Sequence, residues 1–225
     1  MTRTDTDPRA RLLTAALPHV PFDGWSEASL RAAARDLGLS DGVARALFPR
    51  GGVDLALAYH AAGDEEMVDH LAATDLAALR FRDRIATAVM LRLALADRDL
   101  VRRGTTLFAL PPNSAQGAVA IWRTTDRIWS ALGDESRDVN WYSKRVSLSA
   151  VYGATVLFWL GDTSPEDTAT RDFLDRRIDQ VMGIEKLKAR LRDSVLGKAF
   201  AAGTGRVIDR IRAPGAASDR TGREG

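Results

Sequence analysis

Few side chains in this chain could bind a metal. Glu66 and His70 stand four residues apart in the segment DEEMVDHL, so a helix would place both on one face. A carboxylate-bridged metal site needs paired Glu-x-x-His motifs on two helices. The sequence has only three histidines and no such pair of motifs. A metal centre is therefore not expected.

Catalytic chemistry is limited in the same way. The absence of cysteine excludes disulfides, thiolate metal sites and a cysteine nucleophile. There is no phosphate-binding Walker loop and no dinucleotide-binding fingerprint. His19 lies between prolines in a predicted loop, and the acidic run from Asp64 to Glu66 is most simply a solvated helix face. We expect a protein that is not an enzyme and has no cofactor of its own.

The most distinctive cluster is DVNWYSKR, from Asp138 to Arg145, which joins two aromatics, two cations and an amide. Aromatic residues and Arg are enriched at interaction hot spots because they combine apolar area with directional hydrogen-bond donors. The alternative is a helix N-terminus with Asp138 or Asn140 as the cap and Trp141 in the core. The cluster therefore predicts a docking surface, and the structural alternative remains open.

An uncharged stretch, Val146 to Gly161, follows directly. It is shorter than the roughly 20 residues that span a bilayer, so a buried helix is predicted. Trp141, Arg145, Leu148 and Tyr152 fall on one helical face. The small residues between them indicate close helix packing or space for an apolar guest. Spacing alone excludes neither possibility.

These residues must be positioned by helices, because apolar residues recur at helical spacing nearly throughout. The fold class is therefore all-α, with 225 residues and a net charge of only +2. The expected organisation is a helix-turn-helix region at 8–52, a helical bundle at 53–183, an amphipathic helix at 184–200 and a flexible tail at 201–225. Ser26 and Ser40 are predicted to begin helices as N-caps. The later helices are predicted at 53–72, 76–96, 98–110, 116–132, 141–160 and 165–182.

The segment LRAAARDLGLSDGVARALF has the rhythm of a helix-turn-helix and resembles the N-terminal domain of TetR-type regulators. The matching positions are Ala34, Gly38, Ser40, Gly42 and Phe48. That family usually has an aromatic where this chain has Arg45 and a phosphate-contacting Lys where it has Gly51. DNA binding is therefore not expected, although a ligand-responsive transcriptional regulator is the alternative function.

The segment from Ile184 to Phe200 is amphipathic and mostly basic. Such a helix can lie in the interface of an anionic bilayer. Docking against the protein's own core or a second copy is the alternative. The residues predicted to contact the membrane are Leu187, Lys188, Leu191, Val195, Leu196, Lys198 and Phe200.

Taken together, these motifs resemble the Coq9 family of ubiquinone biosynthesis. The resemblance runs from Gly24–Trp25 through Leu37–Ser40, Leu110–Pro111 and Trp129 to D-x-N-W-Y-x-x-R at 138–145, then SPE at 164–166 and FL-x-x-R at 173–177. It implies a TetR-like helical bundle that forms homodimers, binds an isoprenoid lipid or quinone intermediate, and contacts the membrane through an amphipathic helix. It also implies a partner, a Coq7-like demethoxyubiquinone hydroxylase.

The resemblance assigns roles to particular residues. The partner-binding set is Ile128, Asp138, Asn140, Trp141, Tyr142 and Arg145. The predicted lipid pocket is lined by Trp122, Leu148, Tyr152 and Val156. The N-terminus lacks the features of a signal or transit peptide. The expected location is the bacterial cytoplasm, peripheral on the inner membrane.

Overall fold

A computed structural model describes the backbone of residues 7–136 and 139–193, and the side chains of residues 7–136 and 141–182. Every regular element in those ranges is helical. The chain divides into two compact units: unit 1 runs up to Asp75 and from Ala88 to Thr124, and unit 2 comprises Leu76–Thr87 and the residues from Thr125 onward.

The helices follow the predicted order. Their bounds are α1 Pro8–Ala16, α2 Val20–Asp23, α3 Glu27–Asp36, α4 Asp41–Leu47, α5 Gly52–Ala73, α6 Phe81–Ala94, α7 Arg98–Ala109, α8 Ser114–Ala131, α9 Val139–Trp159 and α10 Thr168–Asp193. Short 3₁₀ turns at Leu17–His19 and Pro165–Asp167 precede α2 and α10. The all-α fold class is confirmed for the described residues.

The two predicted N-caps are confirmed. The Ser26 hydroxyl accepts hydrogen bonds from the backbone N–H groups of Ala28 and Ser29 at 3.1 and 3.3 Å. The Ser40 hydroxyl accepts one from Val43 at 3.3 Å. Each cap provides an acceptor for N–H groups that have no partner within the helix. These caps fix where α3 and α4 begin.

Gly38 to Gly42 also spell G-x-S-x-G, the pattern of the nucleophile elbow in α/β-hydrolases. That elbow is a turn from a strand into a helix. Ser40 instead lies between two helices, and its hydroxyl is engaged as the cap of α4. The local fold therefore gives no support to a serine nucleophile at this position.

Trp25 lies in the hydrophobic core of unit 1. Its indole N–H donates to the Leu100 carbonyl at 3.0 Å, and its ring lies 5.4 Å from that of Tyr59. The backbone of Gly52 approaches so closely that a Cβ atom there would lie 2.1 Å from the Trp25 carbonyl oxygen. Only glycine fits this start of α5.

A buried polar network joins α5, α6 and α8 within unit 1. Arg92 donates to the Asp64 carboxylate at 2.7 Å and to the His60 carbonyl at 3.0 Å. The Thr124 hydroxyl lies 2.9 Å from the same carboxylate and 2.7 Å from His60 Nε2. Burial lowers the pKa of His60, against the opposing charge of Asp64. The neutral imidazole is therefore favoured.

Unit 2 contains two departures from the predicted elements. Helix α6 begins at Phe81 rather than Leu76, and the Arg84 guanidinium donates to the carbonyls of Ala77 and Leu79 in the preceding turn. Helix α10 continues through Gly183 to Asp193, where two separate helices were predicted. Glycine costs about 1 kcal/mol within a helix, which weakens it without ending it.

Candidate functional site at the start of α9

Arg145 lies at the centre of the DVNWYSKR cluster, and its side chain is only 2% exposed. Its Nε donates to Asp126 on α8 at 2.6 Å, and its Nη1 donates to Asp134 at 3.0 Å. Nη1 also lies 3.2 Å from the Trp141 carbonyl, one helical turn earlier. One guanidinium thus ties α8, the connecting turn and the first turn of α9 together.

Asp134 provides the second half of this arrangement. Its carboxylate accepts hydrogen bonds from Lys144 at 2.6 Å and from the Ser136 hydroxyl at 2.7 Å, in addition to Arg145. Burial alone would raise the pKa of this carboxyl, but these donors lower it from 3.8 to about 2. The carboxylate therefore stays ionised at neutral pH, and the cations of the cluster are neutralised within it.

Aromatic rings cover this ionic centre. The Arg145 guanidinium lies 3.9 Å from the centroid of the Trp141 ring, a cation–π arrangement. Tyr142 meets Trp141 edge to face, with centroids 4.8 Å apart. Both aromatic side chains are half-buried. The outward-facing part of the cluster therefore combines these rings with the Lys144 side chain, which is 36% exposed.

A second aromatic pair lies beside it. The Trp129 indole donates to the Lys144 carbonyl at 3.2 Å, and the Lys144 ammonium lies 5.1 Å from the Trp129 ring. Phe81, at the start of α6, packs 5.4 Å from Trp129 and remains 44% exposed. Its position predicts an apolar extension of the candidate docking surface.

The predicted docking residues thus occupy different layers. Ile128 and Arg145 are buried, whereas Trp141 and Tyr142 reach the surface in part. Asp138 lies outside the described residues, and Asn140 is placed in α9 without a described side chain. Sequence reasoning missed Asp126 and Asp134 as partners of Arg145. No local pattern in the sequence identifies these two partners.

The predicted lipid-pocket residues fall in both units. Leu148 and Tyr152 are buried on α9 and Val156 is half-buried, all within unit 2. Trp122 is half-buried on α8 and belongs to unit 1. The three α9 residues are spaced by four and share one face of the helix. These three side chains are apolar except for the Tyr152 hydroxyl.

The predicted membrane-contact residues are only partly covered. Leu187, Lys188 and Leu191 lie on the backbone of α10, without described side chains. Val195, Leu196, Lys198 and Phe200 lie outside the described residues, as does the predicted tail. Across the described part of the chain, no helix combines the length and apolarity that crossing a bilayer requires.

The helix-turn-helix region has charges that are engaged within the chain. Arg45 donates to Glu27, and the Nε and Nη2 groups of Arg50 both donate to one carboxylate oxygen of Asp54 on α5. Gly51 has φ +54° and lies so close to Glu27 that a Cβ there would approach its carboxylate oxygen to 2.6 Å. A lysine at this position would be strained and would meet Glu27.

The chain is similar to one known protein family and to several of its members. The COQ9 family model matches residues 114–185, which hold α8, α9 and most of α10. The mitochondrial ubiquinone biosynthesis protein of Schizosaccharomyces pombe is 30% identical over 183 residues, covering 80% of this chain and 72% of the yeast protein. The Rattus norvegicus COQ9 is 30% identical, covering 77% of this chain and 58% of the rat protein. The match thus spans under two thirds of the rat relative.

A solved structure shares the fold. The TetR transcriptional regulator of Nitrosomonas europaea aligns with a TM-score of 0.63, at 21% sequence identity, over 78% of this chain and 99% of its own. The TetR-like fold expected from the sequence is confirmed by this similarity.

Proposed function

Because the chain belongs to the COQ9 family, we propose that it acts in ubiquinone biosynthesis as a lipid-binding accessory protein without catalytic activity of its own. The observation that carries this proposal is the similarity to the yeast relative, which covers most of both chains. An accessory role is consistent with the cluster at the start of α9, where the charged groups of Arg145 and Asp134 are paired with each other. The bound ligand would be a polyprenylated quinone intermediate.

The lipid would bind along α9. Its stretch from Val146 to Gly161 carries no charge, and Leu148 and Tyr152 are buried on one face. Burying an isoprenoid tail contributes about 25 cal/mol per Å² of apolar surface. Protein purified from its host and examined by native mass spectrometry is expected to carry an isoprenoid lipid. Preparations that contain neither isoprenoid nor phospholipid would refute lipid binding.

The partner would be a Coq7-like demethoxyubiquinone hydroxylase that docks on the aromatic surface over Arg145. We expect Tyr142→Ala to weaken hydroxylase binding by roughly thirtyfold, because aromatic contacts at hot spots contribute about 2 kcal/mol and every 1.4 kcal/mol or so is a factor of ten in affinity. Biolayer interferometry with the purified hydroxylase measures this loss. The control is Phe22→Ala, which removes an 87% exposed ring in unit 1. Equal affinities for both variants would argue against docking at this surface.

Membrane contact would come from the end of α10 and the basic segment after it, placing the protein peripherally on the inner membrane. Co-sedimentation with anionic vesicles tests this. Leu191→Glu and Leu196→Glu together should reduce the bound fraction, whereas neutral vesicles should bind less of the wild-type protein. Unchanged binding by the double variant would exclude this segment as the contact.

A homodimer would form through the outer face of α9. Val146 and Leu157 are 58% and 62% exposed on this face, with Ala150 between them and no charge from 146 to 161. Small residues permit close approach of a second helix. Light scattering should give a dimer for the wild type and a monomer for Leu157→Glu. A monomeric wild type would refute the dimer.

The alternative, a transcriptional regulator, is favoured by the α3–α4 helix-turn-helix alone. The ion pairs of Arg45 and Arg50 within the chain, and the positive φ of Gly51, which disfavours a phosphate-contacting lysine there, support a loss of sequence-specific DNA binding. Selection from random duplexes separates the two functions. Recovery of a palindromic site would favour the regulator, whereas salt-sensitive binding without sequence preference would not.

A further inference from the structure

Arg177 on α10 is a half-buried cation whose neighbours one helical turn away carry no charge. Its Nε–H is buried, and no atom of the described residues accepts a hydrogen bond from it. Its neighbours one helical turn away are Phe173, Leu174, Gln180 and Val181, none of them acidic. Buried N–H groups are nearly always paired, so an orphaned one indicates an acceptor from elsewhere.

Two stacked rings lie beside this guanidinium. Phe158 on α9 and Phe173 on α10 are parallel within 10°, with their centroids 4.4 Å apart. The Arg177 guanidinium lies 5.0 Å from the centroid of the Phe173 ring. Phe158 remains 37% exposed at the surface of unit 2. An exposed aromatic ring and one N–H donor without an acceptor among the described residues thus occur within one cluster.

We propose that Phe158, Phe173 and Arg177 form a subsite for a flat, oxygen-bearing ring of the quinone or phenol class. This inference rests on the proposed function and names where the head of the bound lipid lies. The ring would stack on the exposed part of Phe158, and one of its oxygens would accept a hydrogen bond from Arg177. The isoprenoid tail would follow the uncharged residues of α9.

A ring oxygen fits this cluster better than a phosphate does. Phosphate is strongly hydrated and is typically bound by several cations or by backbone N–H groups at a helix N-terminus. Here the Arg177 guanidinium lies beyond the first two turns of α10, against the Phe173 ring. Stacking contributes only if the ligand has a π face. A quinone subsite and a phosphate site therefore predict different competing ligands.

The test is isothermal titration calorimetry on the full chain with two separate probes. A fully substituted 1,4-benzoquinone without a tail represents the head, and farnesol represents the tail. We expect Arg177→Gln to weaken quinone binding by roughly tenfold or more, because a hydrogen bond to a charged group is lost, and to leave farnesol binding unchanged. Arg176→Gln, which alters the exposed neighbour, should bind both probes as the wild type does.

Each other outcome overturns the subsite. Equal quinone affinity in Arg177→Gln would show that this residue does not contact the ring. Inorganic phosphate that competes with the quinone in the wild type but not in Arg177→Gln would identify an anion site instead. A wild type that binds farnesol but no quinone would refute the subsite alone, whereas failure to bind either probe would refute the proposed function as well.

Folding is controlled separately. If circular dichroism shows that Arg177→Gln is unfolded, Phe158→Leu replaces it as the deciding variant, because this exposed ring can be removed without burying a charge. Loss of quinone affinity in Phe158→Leu then supports the subsite, and unchanged affinity overturns it.

Discussion

The guanidinium of Arg145 and the carboxylate of Asp134 meet at 3.0 Å with both side chains at most 3% exposed. Taking two charges out of water is costly, so either charge destabilises the folded state once its partner is removed. This pair fixes the turn that presents Trp141. A sequence segment that resembles a charged surface is thus held together by a buried ion pair.

Asp134→Asn should therefore lower the free energy of unfolding by about 3 kcal/mol, since it leaves Arg145 buried with one less negative partner. The matched control is Asp126→Asn, which removes the other carboxylate from the same guanidinium at a site 41% exposed. That change should cost less than about 1 kcal/mol. Urea unfolding followed by circular dichroism measures both, and equal losses would contradict a special role for the buried pair.

The same pair predicts an acid dependence. The pKa of Asp134 is lowered from 3.8 to about 2 in the folded protein, so its contribution is fully present above pH 3.8 and is lost as the pH falls toward 2. The gap in stability between wild type and Asp134→Asn should shrink by about 2 kcal/mol across this range. Unfolding midpoints at pH 5, 4, 3 and 2.5 would test it, and a constant gap would count against it.

His60 predicts a second dependence at higher pH. Its pKa is lowered by burial, while Asp64 and Arg92 act on it in opposite senses. A neutral His60 stabilises the fold above the unfolded pKa of 6.5, and this contribution is lost as the pH falls below it. His60→Gln should flatten the change in thermal stability between pH 7.5 and 5.5. His70→Gln, at an exposed position of the same helix, should leave that change as in the wild type.

Two glycines should respond in opposite ways to alanine. Gly52→Ala would place a Cβ atom 2.1 Å from the Trp25 carbonyl, so we expect a loss of more than about 2 kcal/mol. Gly42 lies exposed in α4, and its nearest neighbour would be 3.8 Å away. Gly42→Ala should stabilise by up to about 1 kcal/mol. Thermal unfolding measures both, and a neutral Gly52→Ala would show that the backbone can yield there.

Local signals in the sequence were sufficient for most of the helices. Ser26 and Ser40 act as caps, because capping depends on a side chain and the backbone two or three residues away. The predicted helix end at residue 182 is wrong, because α10 continues through Gly183. This helix packs on α9, which the sequence pattern does not reveal. Propensity is overridden when a helix is packed on a neighbour.

Residue types identified the segment at 138–145, but its pairing with Asp126 and Asp134 depends on how α8 and α9 meet. Such contacts between helices have no local signature in the sequence. The burial of Arg145, which a surface role would not require, could only come from the folded chain.

The unbroken course of α10 has a mechanical consequence. A helix of 26 residues is about 39 Å long and resists bending over that distance. If its far end rests on lipid headgroups, a change in its tilt would act as a lever on Phe173 and Arg177 nearer its beginning. Contact with the bilayer would then change the affinity of the proposed subsite for a quinone ring without any separate signalling element.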